Sequence, residues 1–164
     1  MAQKNFLFDD DGRVVGGING NGTSAITAGD ILYATPPSTS PWGTTVPAGV
    51  NYDDIHVEPV KFATATVEGK FVVGVAMHDA AAGSQVSFAT EGLFLSPIID
   101  TTGYVHSGCL LRAAEGATYP GVTNCGTTCM ASGSEMTTAV QTKIGFALSS
   151  ANTDGDYILW KFSK

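Results

Sequence analysis

Three histidines and three cysteines hold most of the reactive chemistry in this 164-residue chain. His56, His78 and His106 stand far apart in sequence, and none adjoins a Ser or Cys in a recognisable nucleophile motif. A hydrolytic site needs nucleophile, base and orienting group within hydrogen-bond reach; Asp79 beside His78 supplies only a carboxylate. Cys109, Cys125 and Cys129 with His106 are four candidate metal ligands. Zinc sites favour closely spaced ligand pairs, and Cys125-Gly-Thr-Thr-Cys129 is the single such pair. An odd cysteine count weakens a disulfide framework. Free thiols folded in a reducing cytoplasm are expected, with a Cys125–Cys129 disulfide formed after release from the cell as the alternative.

Two glycine-containing segments invite nucleotide or calcium readings, and both fail on residue type. Gly17-Ile-Asn-Gly-Asn-Gly22-Thr23-Ser24 has the glycine spacing of a phosphate-binding loop, but Thr23 stands where a lysine must reach the phosphates. No long helix follows to aim its N-terminus at an anion. Around Asp9-Asp10-Asp11-Gly12, an EF-hand register would place apolar Leu7 and Ile18 at the first and twelfth ligand positions. Asn152, Asp154 and Asp156 around Gly155 read as a turn, which these residues build unaided. Trp42, Tyr52, Tyr104 and Tyr119 could stack sugars from loops, whereas Trp160 shares a strand face with Ile158 and Phe162 and is expected in the core. No catalytic residue, metal or cofactor is assigned, and no enzyme activity is expected.

Composition bounds the rest. Only 14% of residues are charged against 43% hydrophobic, with 20 glycines. This suits an all-β protein whose polar, uncharged surface is easily desolvated against other subunits. A net charge of −7 with eight scattered basic residues argues against nucleic acid, whose phosphates need clustered Lys and Arg. No apolar run approaches the ~20 residues of a membrane helix. The opening MAQKNFLFDDDGR lacks the apolar core of a cleaved leader, so export by that route is not expected.

The elements that must position any site read as short strands between turn signals. Phe6–Phe8, Arg13–Ile18, Ile31–Ala34, Val57–Val67, Lys70–Met77, Gln85–Thr90, Leu93–Leu95 and Tyr104–Arg112 are expected strands, as is Tyr157–Phe162. In the last, Ile158, Trp160 and Phe162 share one face and Tyr157, Leu159 and Lys161 the other, the period of a strand. Pro36, Pro37, Pro41 and Pro47 break pairing, making 35–55 a long excursion anchored by Trp42 and Tyr52. Residues 113–135 form a second. Ser132-Gly-Ser-Glu135 has capping-box spacing, which leaves 136–140 open between helix and strand. The whole reads as one β domain. Residues 1–28 form an N-terminal arm and hairpin, and 29–112 with 143–164 form a barrel-like or tulip-like core with little helix.

One phrase recurs. Phe71–Thr90 joins a Gly74-Val75-Ala76 strand through a small-residue turn at Gly83 to an alternating strand. Ile144–Phe162 repeats it with Gly145-Phe146-Ala147, a turn at Gly155 and the final strand, one residue longer. Two copies of one hairpin with no catalytic constellation between them suggest a surface-building module.

With those residues stated, the chain resembles a family of tailed-bacteriophage capsid decoration (cement) proteins, some of which carry a misleading recombinase label. The shared elements are Gly74-Val75-Ala76, Ala81-Ala82-Gly83, Val86–Phe88, Thr90-Glu91-Gly92 and Leu93–Pro97. Ile144–Leu148, Asp154-Gly155, Tyr157–Phe162 and an early Gly29-Asp30-Ile31 complete the resemblance, which marks Gly74, Gly83, Gly92, Gly145 and Gly155 as family turns. It implies a structural virion protein, made in the host cytoplasm and bound to the outer surface of the assembled major capsid protein lattice, which it stabilises against internal DNA pressure. It also favours homo-trimers without nucleic-acid or membrane partners. Phe6, Phe8 and Trp42 are the expected capsid-facing anchors. A carbohydrate- or host-surface-binding β module displayed on the virion is the alternative.

Overall fold

The computed structural model describes residues 13–21, 23–35, 55–60, 72–99, 104–114, 121–124 and 143–163. Ten strands run through them: β1 (Val14–Asn19), β2 (Ile31–Ala34), β3 (His56–Pro59), β4 (Val72–Ala76), β5 (Gln85–Ala89), β6 (Gly92–Pro97), β7 (Leu110–Ala114), β8 (Gly121–Asn124), β9 (Gly145–Ala147) and β10 (Tyr157–Phe162). No α-helix occurs among the described residues, and the expected all-β architecture holds. β1 to β5 close a barrel in the order β1-β3-β2-β4-β5, while β6 to β10 form a sheet in the order β6-β10-β9-β7-β8.

The two orders are one plan used twice. In the first unit Leu32 pairs with Gly74 across β2–β4, and Ala76 pairs with Phe88 across β4–β5. In the second, Leu111 pairs with Gly145 across β7–β9, and Ala147 pairs with Trp160 across β9–β10. Val15 faces Phe88 as Phe94 faces Trp160, and Tyr33 faces Glu58 as Arg112 faces Thr123. The flanking bridge Ile26–Ala80 recurs as Val105–Ala151. Even the entry turns match, with Gly29 at φ +90° and Gly108 at φ +89°. The hairpin echo legible in the sequence is therefore part of a complete five-strand repeat.

One residue explains why the second copy closes less fully. In the first barrel the Ile18 N–H donates to the Ile55 carbonyl across the parallel β1–β3 seam, at 2.8 Å. Its counterpart is Pro97, which has no N–H to give. The edges β6 and β8 meet instead at a single parallel bridge, Ile98–Val122, with the Ile99 N–H on the Val122 carbonyl at 2.9 Å.

Alternation sorts each strand into an inner and an outer face. Leu32, Val57, Ala76, Val86 and Phe88 fill the first barrel with Ile26 and Ala80. The counterparts Leu111, Val122, Ala147, Ile158 and Trp160 fill the second unit. Each such aliphatic or aromatic side chain contributes about 1.5–3 kcal/mol by leaving water. Ile31, Val72, Val75 and Ala89 of the first unit belong to the same continuous apolar cluster as the second unit's core.

Three expectations need correction. The strand expected over Tyr104–Arg112 begins only at Leu110, because Ser107 and Gly108 form a turn that the left-handed backbone of Gly108 permits. The stretch 113–135 contains the end of β7 and all of β8, whose short, glycine-started sequence carries little strand signal. Of the expected N-terminal arm and hairpin, Val14–Asn19 is a barrel strand.

Candidate functional site

The proposed anchors Phe6, Phe8 and Trp42 lie outside the described residues, as does the segment 136–140. The five glycines expected as family turns are all placed, but only Gly83 and Gly155 lie in turns: Gly74, Gly92 and Gly145 stand in β4, β6 and β9, the first and last because a neighbouring strand crowds them. Gly74 and Gly145 occupy equivalent sites where the neighbouring strand comes too close for a side chain. A Cβ on Gly74 would collide with the Ala89 carbonyl and the Phe88 ring, and one on Gly145 with the Lys161 carbonyl and the Trp160 ring. Gly83 and Gly155 turn the two hairpins at φ +72° and +87°. Gly92 opens β6 opposite Phe162.

The chemically capable side chains are spent on holding turns. The Ser87 N–H donates to His78 Nε2 at 3.0 Å, which leaves Nδ1 to carry the proton toward the Asp79 carbonyl at 2.9 Å. In the second unit the Leu159 N–H donates to Ser149 Oγ at 2.8 Å, the same bond with a different acceptor. Asp79 Oδ1 accepts from the Ala28 N–H as Ser150 Oγ accepts from the Ser107 N–H. Asp30 Oδ2 accepts from the Thr27 N–H as Cys109 Sγ accepts from the His106 N–H. Among the described residues no three His, Cys, Asp or Glu side chains gather where they could hold a metal ion.

Cys109 also overturns the expectation of free thiols: it is buried and disulfide-bonded. Cys125 and Cys129, the alternative disulfide pair, lie outside the described residues. An odd cysteine count argues against a complete framework, not against a single bond.

The surface that stands out is the outer face of the second unit. Leu93, Lys161, Phe146 and Leu110 lie side by side across β6, β10, β9 and β7, with Leu95 beside Leu159 in the next rows. All six are half-buried, in a face that is apolar except for Lys161. The same row in the first unit is Val14, Ala89, Val75 and Ile31, of which the last three are no more than 1% exposed. Sequence reading hinted at this face only through Leu159, an apolar residue on the polar side of the final strand.

The family pattern of the phage cement protein matches residues 44–162, from before β3 to the end of β10. No curated protein matches the chain. The match covers well over half of the sequence and includes all five glycines placed above. The chain belongs to the phage cement protein family, a structural family of the capsid rather than a family of enzymes.

Proposed function

We propose that the protein adds to the outside of an assembled capsid lattice and bridges neighbouring major capsid protein subunits. Synthesis in the host cytoplasm would precede this addition. Family membership carries the reading, and a doubled β scaffold whose His and Asp side chains cap turns agrees with a role in adhesion. Specific attachment needs only about 1,200–2,000 Å² of buried surface per contact. Binding the assembled lattice in preference to its parts shifts the equilibrium away from rupture, which opposes the outward push of packed DNA.

In this reading the copies form homo-trimers, as the resemblance to capsid decoration proteins favours, with the closed symmetry usual for repeated subunits. The half-buried row Leu93–Lys161–Phe146–Leu110 is the surface by which one copy seats on the next. The support is internal: the equivalent row of the first unit is sealed, and Val75, Ala89 and Ile31 join the second unit's core. The N-terminal run around Phe6 and Phe8 reaches the capsid, where an extended strand can add to an exposed sheet edge, and Trp42 supplies a further anchor.

Co-sedimentation with purified expanded shells tests the reading. The intact protein is expected to saturate the shells, and removal of residues 1–8 to lower occupancy. Unchanged occupancy without residues 1–8 would remove the anchor proposal. Phe146→Glu is expected to give monomers in analytical ultracentrifugation; persistence of the wild-type mass would remove the proposed interface.

A further inference from the structure

The second unit carries an open cleft at its flanking bridge. Beside the Val105–Ala151 bridge opens a cleft of about 440 Å³, lined by Ala151 with Tyr104, His106, Ser150, Asn152, Asp156 and Tyr157. The Tyr104 and His106 rings stack nearly parallel, 13° apart with centroids at 5.8 Å. Tyr104 is 59% exposed and Tyr157 38% exposed. The strand repeat identifies the matching positions in the first unit: Ala25 and Thr27 on either side of Ile26, Asp79 and Ala81 on either side of Ala80, and Ser84 and Gln85 entering β5.

That comparison separates folding from function. The first unit builds the same bridge and hairpin with Ala, Thr, Asp, Ser and Gln, so the backbone does not require the rings. Tyr104 and Tyr157 are among the exposed large side chains of the described residues, and neither belongs to a core cluster. What the second unit gains is two tyrosines and an imidazole, set beside the Asp156 carboxylate, the Asn152 amide and the Ser150 hydroxyl; the first unit has polar groups at matching positions, Asp79 among them, but no ring. The volume lies in the range of small-ligand sites. Aromatic faces accept the C–H face of a sugar ring, while carboxylate and amide oxygens accept its hydroxyl protons in strong, charge-assisted or neutral hydrogen bonds. Asp156 and the net charge of −7 disfavour an anionic sugar.

We propose that the Tyr104–Tyr157 cleft binds a neutral saccharide, giving the cement protein a glycan-recognition site in addition to its capsid contacts. The inference rests on the cleft and does not depend on how the protein attaches to the shell. A panel of neutral mono- and oligosaccharides, screened on an array and titrated by ligand-observed NMR against the intact protein, tests it. Saturable binding to at least one neutral saccharide is expected. Tyr104→Ala and Tyr157→Ala should each weaken it at least tenfold, with thermal unfolding and shell co-sedimentation unchanged, while Gln85→Ala at the matching site of the first unit leaves it intact. Absence of saturable sugar binding, equal binding by both tyrosine variants, or binding only of cationic amines, which Tyr and Asp would also attract, overturns the proposal.

Discussion

The two five-stranded units share every strand pairing except the parallel seam that closes the first barrel, yet they differ in how they use the positions between. In the first barrel a Cβ on Gly17 would sit 2.7 Å from the Ile55 carbonyl and 3.0 Å from the Phe88 ring, so the phenyl and the bare backbone fill the space together. The second unit puts Ser96 and Trp160 there, and the indole Nε1–H donates to the buried Ser96 Oγ at 2.8 Å. Outside, the first unit seals Ile31, Val75 and Ala89 while the second leaves Leu110, Phe146 and Lys161 half-open. The lesson is that backbone hydrogen bonding fixes the plan, and the side chains are free to specialise one copy for internal packing and the other for contact.

The comparison can be broken most forcefully at the shared glycines. Gly145→Ala and Gly74→Ala should each cost about 3 kcal/mol, since the blocking atoms include strand carbonyls that cannot swing away. Denaturant titration measures this, and a loss under 1 kcal/mol at either site would show that the close approach is not shared. Cys109→Ser should cost about 2–3 kcal/mol under oxidising conditions and far less in reductant. The cost of the matching Asp30→Ser, which keeps an acceptor for the Thr27 N–H, should be the same in oxidising and reducing conditions.

Smaller effects sharpen the pairing of side chains. Trp160→Phe, which imitates Phe88, should cost about 2 kcal/mol by orphaning the Ser96 hydroxyl and leaving a void. Adding Ser96→Gly, which imitates Gly17, should reveal a coupling of at least about 0.5 kcal/mol in a double-mutant cycle. Strict additivity would mean that the two positions do not act as a unit. His78→Ala should cost about 1 kcal/mol by removing the acceptor for the Ser87 N–H. His78→Ser should cost less, because Ser149 already performs this role in the other unit.

Part of this was legible in the sequence because identical residues mark it. Gly74-Val75-Ala76 and Gly145-Phe146-Ala147 share the glycine and alanine that the crowded pairing demands, and the turns at Gly83 and Gly155 share the need for positive φ. The other half of the repeat was hidden. Val14–Asn19 and Gly92–Pro97 have unlike residues, since a strand asks only for alternation and tolerates Gly or Leu on an outer face. The turn-holding bonds were hidden for a chemical reason. What recurs is a hydrogen-bond acceptor, supplied here by imidazole and carboxylate and there by hydroxyl and sulfur. Unequal connections masked the spacing too: 35–55 joins β2 to β3, whereas only 115–120 joins β7 to β8. The candidate anchors Phe6, Phe8 and Trp42 had no such internal echo to support them, and the outer-face row became visible only once strand register placed its members side by side.

The most direct measurement is an electron-microscopy reconstruction of expanded shells incubated with the purified protein. Ordered density over the junctions between capsid subunits, large enough for both five-stranded units of each copy, is the expected result. Shells that remain bare at saturating protein, with the chain folded and undegraded in the supernatant, would contradict a cementing role.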